Sequence, residues 1–90
     1  MRITWDIGKT ELNIEKHEIS FDEASTVLLS ETAIRFEDDQ HDEERFIAIG
    51  YSSQSRVLMV VYCYRHEDEI RIISARHATR RERKQYEEGI

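Results

Sequence analysis

The stretch Arg56-Val-Leu-Met-Val-Val-Tyr-Cys-Tyr64 decides the fold of this chain. Its apolar residues follow one another without alternation, which is typical of a central strand buried on both faces. Further strands are predicted on either side, at Arg45–Tyr51 before a turn at Ser52–Ser55, and at Glu69–Ala75 after a polar turn at Arg65–Glu69. Because short connections join three successive strands, we expect an antiparallel meander.

The residues before the meander are predicted to form a strand and two helices. Arg2–Trp5 has the composition of a short strand, and Asp6 is a good N-cap for a helix at Ile7–His17. Ser20-Phe-Asp-Glu23 is a capping box, in which each end residue satisfies a backbone amide of the other. A second helix is therefore predicted over Phe21–Leu29, with its apolar residues at helical spacing.

The remaining segments complete an α+β pattern. Ala33–Phe36 is predicted to be a short strand, and the acidic stretch Glu37–Glu44 a loop. Thr79-Arg-Arg-Glu82 is another capping box, which starts a short helix that ends near Glu88. We thus expect an N-terminal strand and two helices packed on an antiparallel β-sheet meander, followed by a short C-terminal helix.

The length and composition restrict the class of protein. A chain of 90 residues is enough for one hydrophobic core, so we expect a single domain over residues 1–90. No apolar run is long enough to span a membrane, and the first residues lack the apolar core of a secretory signal, which predicts a cytoplasmic protein without a membrane partner. The single cysteine excludes an internal disulfide framework.

The charges are segregated along the chain. The net charge is −6, but residues 1–50 carry 13 acidic and 5 basic side chains, whereas residues 51–90 carry 6 acidic and 8 basic ones. The C-terminal part therefore has a net charge of +2, and its arginines form a local cationic patch. Such a patch matters more for contacts with phosphate than the total charge does.

The C-terminal helix is unusual because Tyr86 is its one apolar side chain between Arg80 and Glu88. It also places arginines at the positive end of the helix dipole and glutamates at the negative end, the reverse of what stabilises a helix. These residues are therefore expected to serve a partner or an anion. The alternative is a solvated tail that frays.

Metal and cofactor sites are not predicted. The four histidines, His17, His41, His66 and His77, are scattered and form no ligand pair with carboxylates at the usual spacing. Three glycines do not make a phosphate-binding loop. What remains is a metal-free set suited to a phosphodiester, with arginines to neutralise charge, Lys16 and His17 to exchange protons, and Tyr86 to stack on a base or hold a reacting oxygen.

Arg76 stands out within this set. It follows the predicted end of a strand at Ala75 and precedes the helix capped by Thr79. Its side chain is therefore expected to point into the space at the positive end of the helix, where an anion is favoured. The competing interpretation is structural: Lys16 and His17 end a helix favourably, and the arginines solvate a surface.

The motifs of the chain resemble those of the BrnT family of ribonuclease toxins. The opening residues Trp5-Asp6, Lys9, Asn13, Lys16-His17, Ile19 and Phe21 match the pattern W-D-x-x-K-x-x-x-N-x-x-K-H-x-I-x-F. Later matches are Glu44–Gly50, Val57–Tyr62 and Arg71–Arg76, with Ala78, Arg81, Glu82 and Tyr86. The resemblance spans nearly the whole chain, with its motifs in the same order.

The resemblance implies a toxin of a type II toxin-antitoxin system with a RelE-like fold, which cleaves RNA and inhibits translation. It further implies neutralisation by a BrnA-like antitoxin with a ribbon-helix-helix domain, and contact with operator DNA only through that antitoxin. The expected catalytic residues are Lys16, His17, Arg76, Glu82 and Tyr86. The expected RNA-binding residues are Lys9, Arg45, Arg65, Arg80, Arg81 and Arg83.

Two features depart from the family pattern. His77 stands where a basic residue usually follows the S-A-R signature, and the stretch Glu37–Glu44 is unusually acidic, which would repel phosphate. The alternative hypothesis is a non-catalytic protein-binding module that acts as antitoxin partner and co-repressor. A metal-dependent nuclease is a third class, which would need carboxylates that converge on an ion.

Overall fold

The computed structural model of the chain describes residues 1–40 and 42–89, which form five strands and three helices. The elements are β1 (Arg2–Thr4), α1 (Ile7–His17), α2 (Phe21–Leu28), β2 (Ile34–Asp38), β3 (Arg45–Tyr51), β4 (Val57–His66), β5 (Glu69–His77) and α3 (Arg80–Glu87). The strands form one sheet in the order β1-β5-β4-β3-β2. This architecture confirms the predicted α+β fold, and none of the described helices is long and apolar enough to span a membrane.

The sheet is mixed because its first strand runs parallel to its last. Strands β2 to β5 form the predicted antiparallel meander. Strand β1 pairs in parallel with the start of β5, with Ile3 opposite Ile70. Two intervening helices and three strands separate the partners along the chain, so the sequence pattern had no local signal for this pairing.

The boundaries of two strands differ from the prediction near the acidic stretch and the last hairpin. Strand β2 continues through Asp38, since Glu37 pairs with Phe46 and Asp38 with Arg45. The prediction that the loop begins at Glu37 was therefore wrong by two residues. Acidic residues have low strand propensity, but β2 is an edge strand whose side chains reach water, so the backbone pairing with β3 prevails.

The hairpin between β4 and β5 is tighter than predicted. Strand β4 runs to His66 and β5 begins at Glu69, so only two residues form the turn. Arg65 lies in the strand instead of the turn, and a register shift between Tyr64 and His66 marks a β-bulge. The bulge adds a residue to β4, which lets a longer strand end in a short connection.

Helices α1 and α2 cover one face of the sheet and bury the main hydrophobic core. Trp5 contacts Phe21 edge to face, with ring centroids 6.4 Å apart. The buried residues of this core are Ile19, Phe21, Ala24, Val27, Leu28, Ala48, Leu58, Val60, Tyr62, Ile70, Ile72 and Ala75. They come from α2, from the connection that precedes it, and from β3, β4 and β5, so the covered face holds the layers together.

Asn13 anchors α1 to the exposed edge of β5. Strand β1 ends at Thr4, opposite Arg71, and among the described residues no strand pairs with the rest of β5 on that side. The side-chain amide of Asn13 donates to the carbonyl of Ala75 at 2.8 Å and to that of Ile19 at 2.9 Å, and its oxygen accepts from the amide of Ala75 at 3.2 Å. A buried amide thus replaces the missing strand, and Asn13 is a structural residue.

A buried carboxylate joins α2 to the turn between β3 and β4. Glu23 accepts hydrogen bonds from the Ser52 hydroxyl at 2.6 Å and from Arg56 Nε at 2.9 Å. The prediction that Glu23 reaches back to the Ser20 amide was therefore wrong, and only the Ser20 half of the capping box forms. The hydrogen bond from Arg56 lowers the pKa of Glu23 despite burial. The turn is therefore held on the helix side of the sheet.

The opposite face of the sheet is largely open. Its buried residues are Ile49, Val57 and Met59, with Ile47, Ala78 and Tyr86 packed against them. Within residues 1–40 and 42–89, the short helix α3 is the one helix packed on this face, which leaves a surface of strand side chains beside the helix.

Candidate active site

Helix α3 is docked on the open face through both of its ends. At its start, the Thr79 hydroxyl accepts from the Glu82 amide at 3.1 Å, and the Glu82 carboxylate accepts from the Thr79 amide at 2.8 Å, which confirms the capping box. At its end, the Tyr86 ring contacts Tyr51 with centroids 5.8 Å apart. The Tyr86 hydroxyl donates to the carbonyl of Thr32 at 3.1 Å. The helix is thus packed, and the alternative of a frayed tail was wrong.

Arg76 lies inside β5, one residue before the strand ends at His77, and not beyond the strand as predicted. Its two terminal nitrogens donate to the two carboxylate oxygens of Glu82 at 2.8 and 3.0 Å. The same nitrogens also donate to the carbonyl of His77 and to the sulfur of Met59. The guanidinium is therefore held rigidly on the open face by four hydrogen bonds.

The start of α3 is already occupied by an anion of the chain itself. The Glu82 carboxylate accepts from the N-cap amide and from Arg76, so it fills the position predicted for an external anion. These contacts lower the pKa of Glu82 to about 2, and the hydrogen bond from Arg76 contributes most. A carboxylate this acidic has no proton to donate at neutral pH and is a weak base. Glu82 therefore positions Arg76.

The acidity of Glu82 predicts how stability depends on pH. Because the pKa falls from 4.5 to about 2 on folding, the ionised carboxylate stabilises the fold above about pH 4.5, and this stabilisation is lost as the pH drops towards 2. We expect the contribution to be on the order of 2 kcal/mol after allowance for partial exposure. Urea unfolding at pH 7 and pH 3 measures the effect.

Glu82→Gln is the control for this pH dependence. The variant should be less stable than the original chain at pH 7, and the difference between the two should shrink at pH 3. An equal difference at both pH values would show that the ionised Glu82 carboxylate does not stabilise the fold.

A cleft lies between α3 and the open face of the sheet, which we call the α3 cleft. Its volume is about 400 Å³. It is lined by Ile34, Phe36, Ile49, Met59, Glu82, Gln85 and Tyr86. Arg76 contacts two of these residues, Met59 and Glu82, so the guanidinium borders the cleft.

The cationic residues of α3 lie on a neighbouring surface. Arg80, Arg83, Lys84 and Glu87 line a shallow cavity of about 300 Å³. The Arg83 Nε atom lies 3.5 Å from the Glu87 carboxylate, which also accepts from the Tyr51 hydroxyl. These contacts compensate the glutamate at the unfavourable end of the helix dipole. Arg81 is exposed on the same helix.

Lys9, Lys16 and His17 are brought together elsewhere. They line a cavity of about 240 Å³ with Leu12, Asn13, Ile73 and Ser74, and this cavity shares no lining residue with the α3 cleft. The two sites are connected through β5, since Ser74 and Arg76 are two residues apart, or roughly 7 Å along the strand. The predicted proton-exchanging residues are therefore separate from the Arg76–Glu82 pair.

Arg45 and Arg65 lie away from both cavities. Arg45 is at the start of β3, 3.6 Å from the Glu43 carboxylate, in an acidic surface cavity. Arg65 is six residues along β4 from Met59, which corresponds to roughly 20 Å. The structure thus does not bring these two predicted RNA-binding residues to the Arg76–Glu82 pair.

The apolar wall of the α3 cleft was not predicted as part of a site. Ile34 and Phe36 alternate in β2, so both side chains point to the open face. Their i, i+2 spacing was a usable signal, but the sequence does not show which face the helices would cover. The structure therefore adds Phe36 and Gln85 to the candidate site.

The described residues contain no group of three or more histidine, cysteine, aspartate or glutamate side chains arranged to hold a metal ion. His41, one of the four histidines considered above, lies outside the described residues.

The fold and the site define a small α+β protein in which Glu82 holds Arg76 beside an apolar cleft on the open face of the sheet. A family model described as the ribonuclease toxin, BrnT, of type II toxin-antitoxin systems matches residues 5–82. The chain therefore belongs to the BrnT family of ribonuclease toxins, which confirms the resemblance seen in the sequence. Membership implies an RNA substrate and an antitoxin partner.

The structure is similar to the crystal structure of the Brucella abortus ribonuclease toxin BrnT. The two chains share 27% sequence identity, with a TM-score of 0.72. The match covers 89% of this chain and 99% of the Brucella chain. A comparison with curated proteins finds no significant match.

Proposed function

We propose that this chain is a metal-independent endoribonuclease that binds a phosphate of RNA at Arg76. The observation that carries this proposal is the guanidinium of Arg76, held in place by Glu82 on an open face and bordered by a cleft. A guanidinium fixed before the substrate arrives stabilises the charge that develops on phosphate without reorganisation. The nearby cations of α3 attract the RNA backbone despite the net charge of −6.

The reaction is attack of a 2′-hydroxyl on the adjacent phosphorus. The 2′-oxygen forms a bond to phosphorus and loses its proton to a base, while the bond from phosphorus to the 5′-oxygen breaks and that oxygen receives a proton. The products carry a 2′,3′-cyclic phosphate and a 5′-hydroxyl. No metal is required, because positioning and cationic stabilisation supply most of the rate.

Lys16 and His17 are the proposed proton-exchanging residues. Their cavity is lined in part by Ser74 of β5, and Arg76, which borders the α3 cleft, lies two residues further along the same strand. An RNA chain that crosses β5 would contact both places, with Arg76 on a phosphate and Lys16 or His17 on a neighbouring oxygen. Tyr86 supplies its ring to the cleft, since its hydroxyl proton is used by the Thr32 carbonyl.

The proposed physiological setting is a toxin that acts in the cytoplasm as one domain over residues 1–90. Cleavage of RNA would inhibit translation, and a BrnA-like antitoxin with a ribbon-helix-helix domain would neutralise it. Operator DNA would be contacted only through that antitoxin. Membership in a ribonuclease toxin family of type II systems supports this proposal.

Expression of the chain alone tests the proposal. Growth of bacteria should stop on induction, with cleaved cellular RNA, and co-expression of the antitoxin should restore growth. The purified protein should cleave RNA in the presence of EDTA and leave 2′,3′-cyclic phosphate ends. Arg2→Ala is a matched control, since it removes a positive charge opposite Glu69, at the other end of β5 from Arg76.

Two results would contradict the proposal. Unimpaired growth with abundant soluble protein and intact RNA would favour the non-catalytic binding module. Cleavage that stops on chelation and returns with magnesium or manganese would favour a metal-dependent nuclease.

A further inference from the structure

The α3 cleft combines a flat apolar wall with polar groups on one side. Ile34, Phe36, Ile49 and Met59 form the wall, and α3 contributes the rest of the lining. Its volume of about 400 Å³ is in the range of cavities that hold small molecules. The cleft is therefore large enough for one flat organic group.

Two aromatic side chains of the cleft are available for stacking. Phe36 is 43% exposed although it is a large apolar residue on an edge strand. Tyr86 lines the cleft from the opposite element, with its hydroxyl fixed on the Thr32 carbonyl. Exposed aromatic rings beside a cationic group are the usual surfaces on which unpaired RNA bases stack.

The cleft is adjacent to the place where a phosphate would bind. The guanidinium of Arg76 contacts both Met59 and Glu82, and both residues line the cleft. A nucleotide whose phosphate contacts Arg76 could therefore place its base directly into the cleft. The neighbouring cations of α3 favour such an anionic ligand over an uncharged apolar one.

We propose that the α3 cleft is a nucleobase subsite that selects the base next to the cleaved bond. The proposal rests on the proposed ribonuclease function. Within residues 1–40 and 42–89, the Gln85 amide makes no hydrogen bond, and it lines the cleft. An amide has donors and an acceptor side by side, which suits the edge of a base. Gln85 therefore determines specificity, and Phe36 supplies stacking.

The family match ends at Glu82, so Gln85 lies outside the matched segment.

Two variants separate stacking from recognition. Phe36→Ala should lower kcat/KM by about 5- to 150-fold, the loss expected for one stacked base. Gln85→Leu should lower kcat/KM most for the preferred base, so that the ratio of cleavage among oligonucleotides that differ in one base becomes more even. Leu29→Ala is the matched control, because it removes an exposed apolar side chain outside the cleft.

Binding of single nucleotides tests the subsite without cleavage. In the NMR spectrum, a nucleoside monophosphate should shift the ring resonances of Phe36 and Tyr86, whereas inorganic phosphate alone should leave them unchanged. Failure of all four nucleoside monophosphates to shift these rings would overturn the subsite even if the chain cleaves RNA. Absence of RNA cleavage by the original chain would instead contradict the proposed function.

One further result would assign the cleft to a protein. If Phe36→Ala abolished antitoxin binding while the base ratios and the nucleotide shifts stayed unchanged, the cleft would be a docking surface for the antitoxin, and the subsite would be wrong. Thermal melts of all variants should agree within a few degrees, since Phe36 and Gln85 are exposed.

Discussion

Arg76→Lys and Arg76→Ala are both expected to lose most of the RNA cleavage activity. The guanidinium holds Glu82 with two nitrogens, and a lysine ammonium cannot reproduce this fork. By comparison with the removal of one oxyanion donor, we expect a loss of about 2 to 4 kcal/mol of transition-state stabilisation, or roughly 30- to 1,000-fold in kcat/KM. Cleavage of a defined oligonucleotide, beside growth arrest, measures the loss.

The structure also predicts a moderate effect of Arg76→Ala on stability, whereas the sequence alone suggests a surface arginine with little effect on folding. The Arg76 side chain is 39% exposed and that of Glu82 is 24% exposed. Removal of the arginine should therefore cost roughly 1 to 2 kcal/mol in the free energy of unfolding, because Glu82 loses its partner.

The double variant Arg76→Ala/Glu82→Gln separates the two roles. It leaves no unpaired charge, so its stability should recover part of the loss while its activity stays low. Full toxicity in a stable Arg76→Ala protein would exclude Arg76 from the site. Recovery of activity in the double variant would instead make the role of Arg76 structural.

Substitution of Asn13 is expected to have the largest effect on folding. In Asn13→Ala, the amide and carbonyl of Ala75 and the carbonyl of Ile19 all lose a hydrogen-bond partner next to the core. Each unsatisfied buried group costs about 1 to 3 kcal/mol, so we expect a total loss of roughly 3 to 5 kcal/mol. That is a large part of the stability of a small protein.

Asn13→Asp should be at least as harmful as alanine. A carboxylate has no donor, and the nitrogen that it replaces lies within 2.9 Å of two carbonyl oxygens, so its charge would be repelled. Urea unfolding at pH 7 measures both variants, and Glu15→Ala on the exposed side of α1 is the control, with a change within about 0.5 kcal/mol. A loss below about 1 kcal/mol for Asn13→Ala would show that the amide does not hold α1 on the sheet.

The sequence by itself determined most of the elements, because the interactions that start and end them are local. The side chains of Asp6, Ser20 and Thr79 each accept from the amide three residues later, as predicted from the capping patterns. The uninterrupted apolar stretch in β4 identified the centre of the meander, since a strand buried on both faces needs such a composition. The family motifs, read in order, were sufficient to predict the α+β fold.

The tertiary structure alone decided how these elements meet. Asn13 contacts Ala75, which is 62 residues away, and β1 pairs in parallel with β5. No local sequence pattern encodes either of these partners. The tertiary structure also decided which face of the sheet the two helices cover. This choice leaves Phe36 exposed in the α3 cleft and places Lys16 in a separate cavity. The physical reason is that a strand or helix pattern specifies which residues share a face, while the partner of that face depends on packing between distant segments.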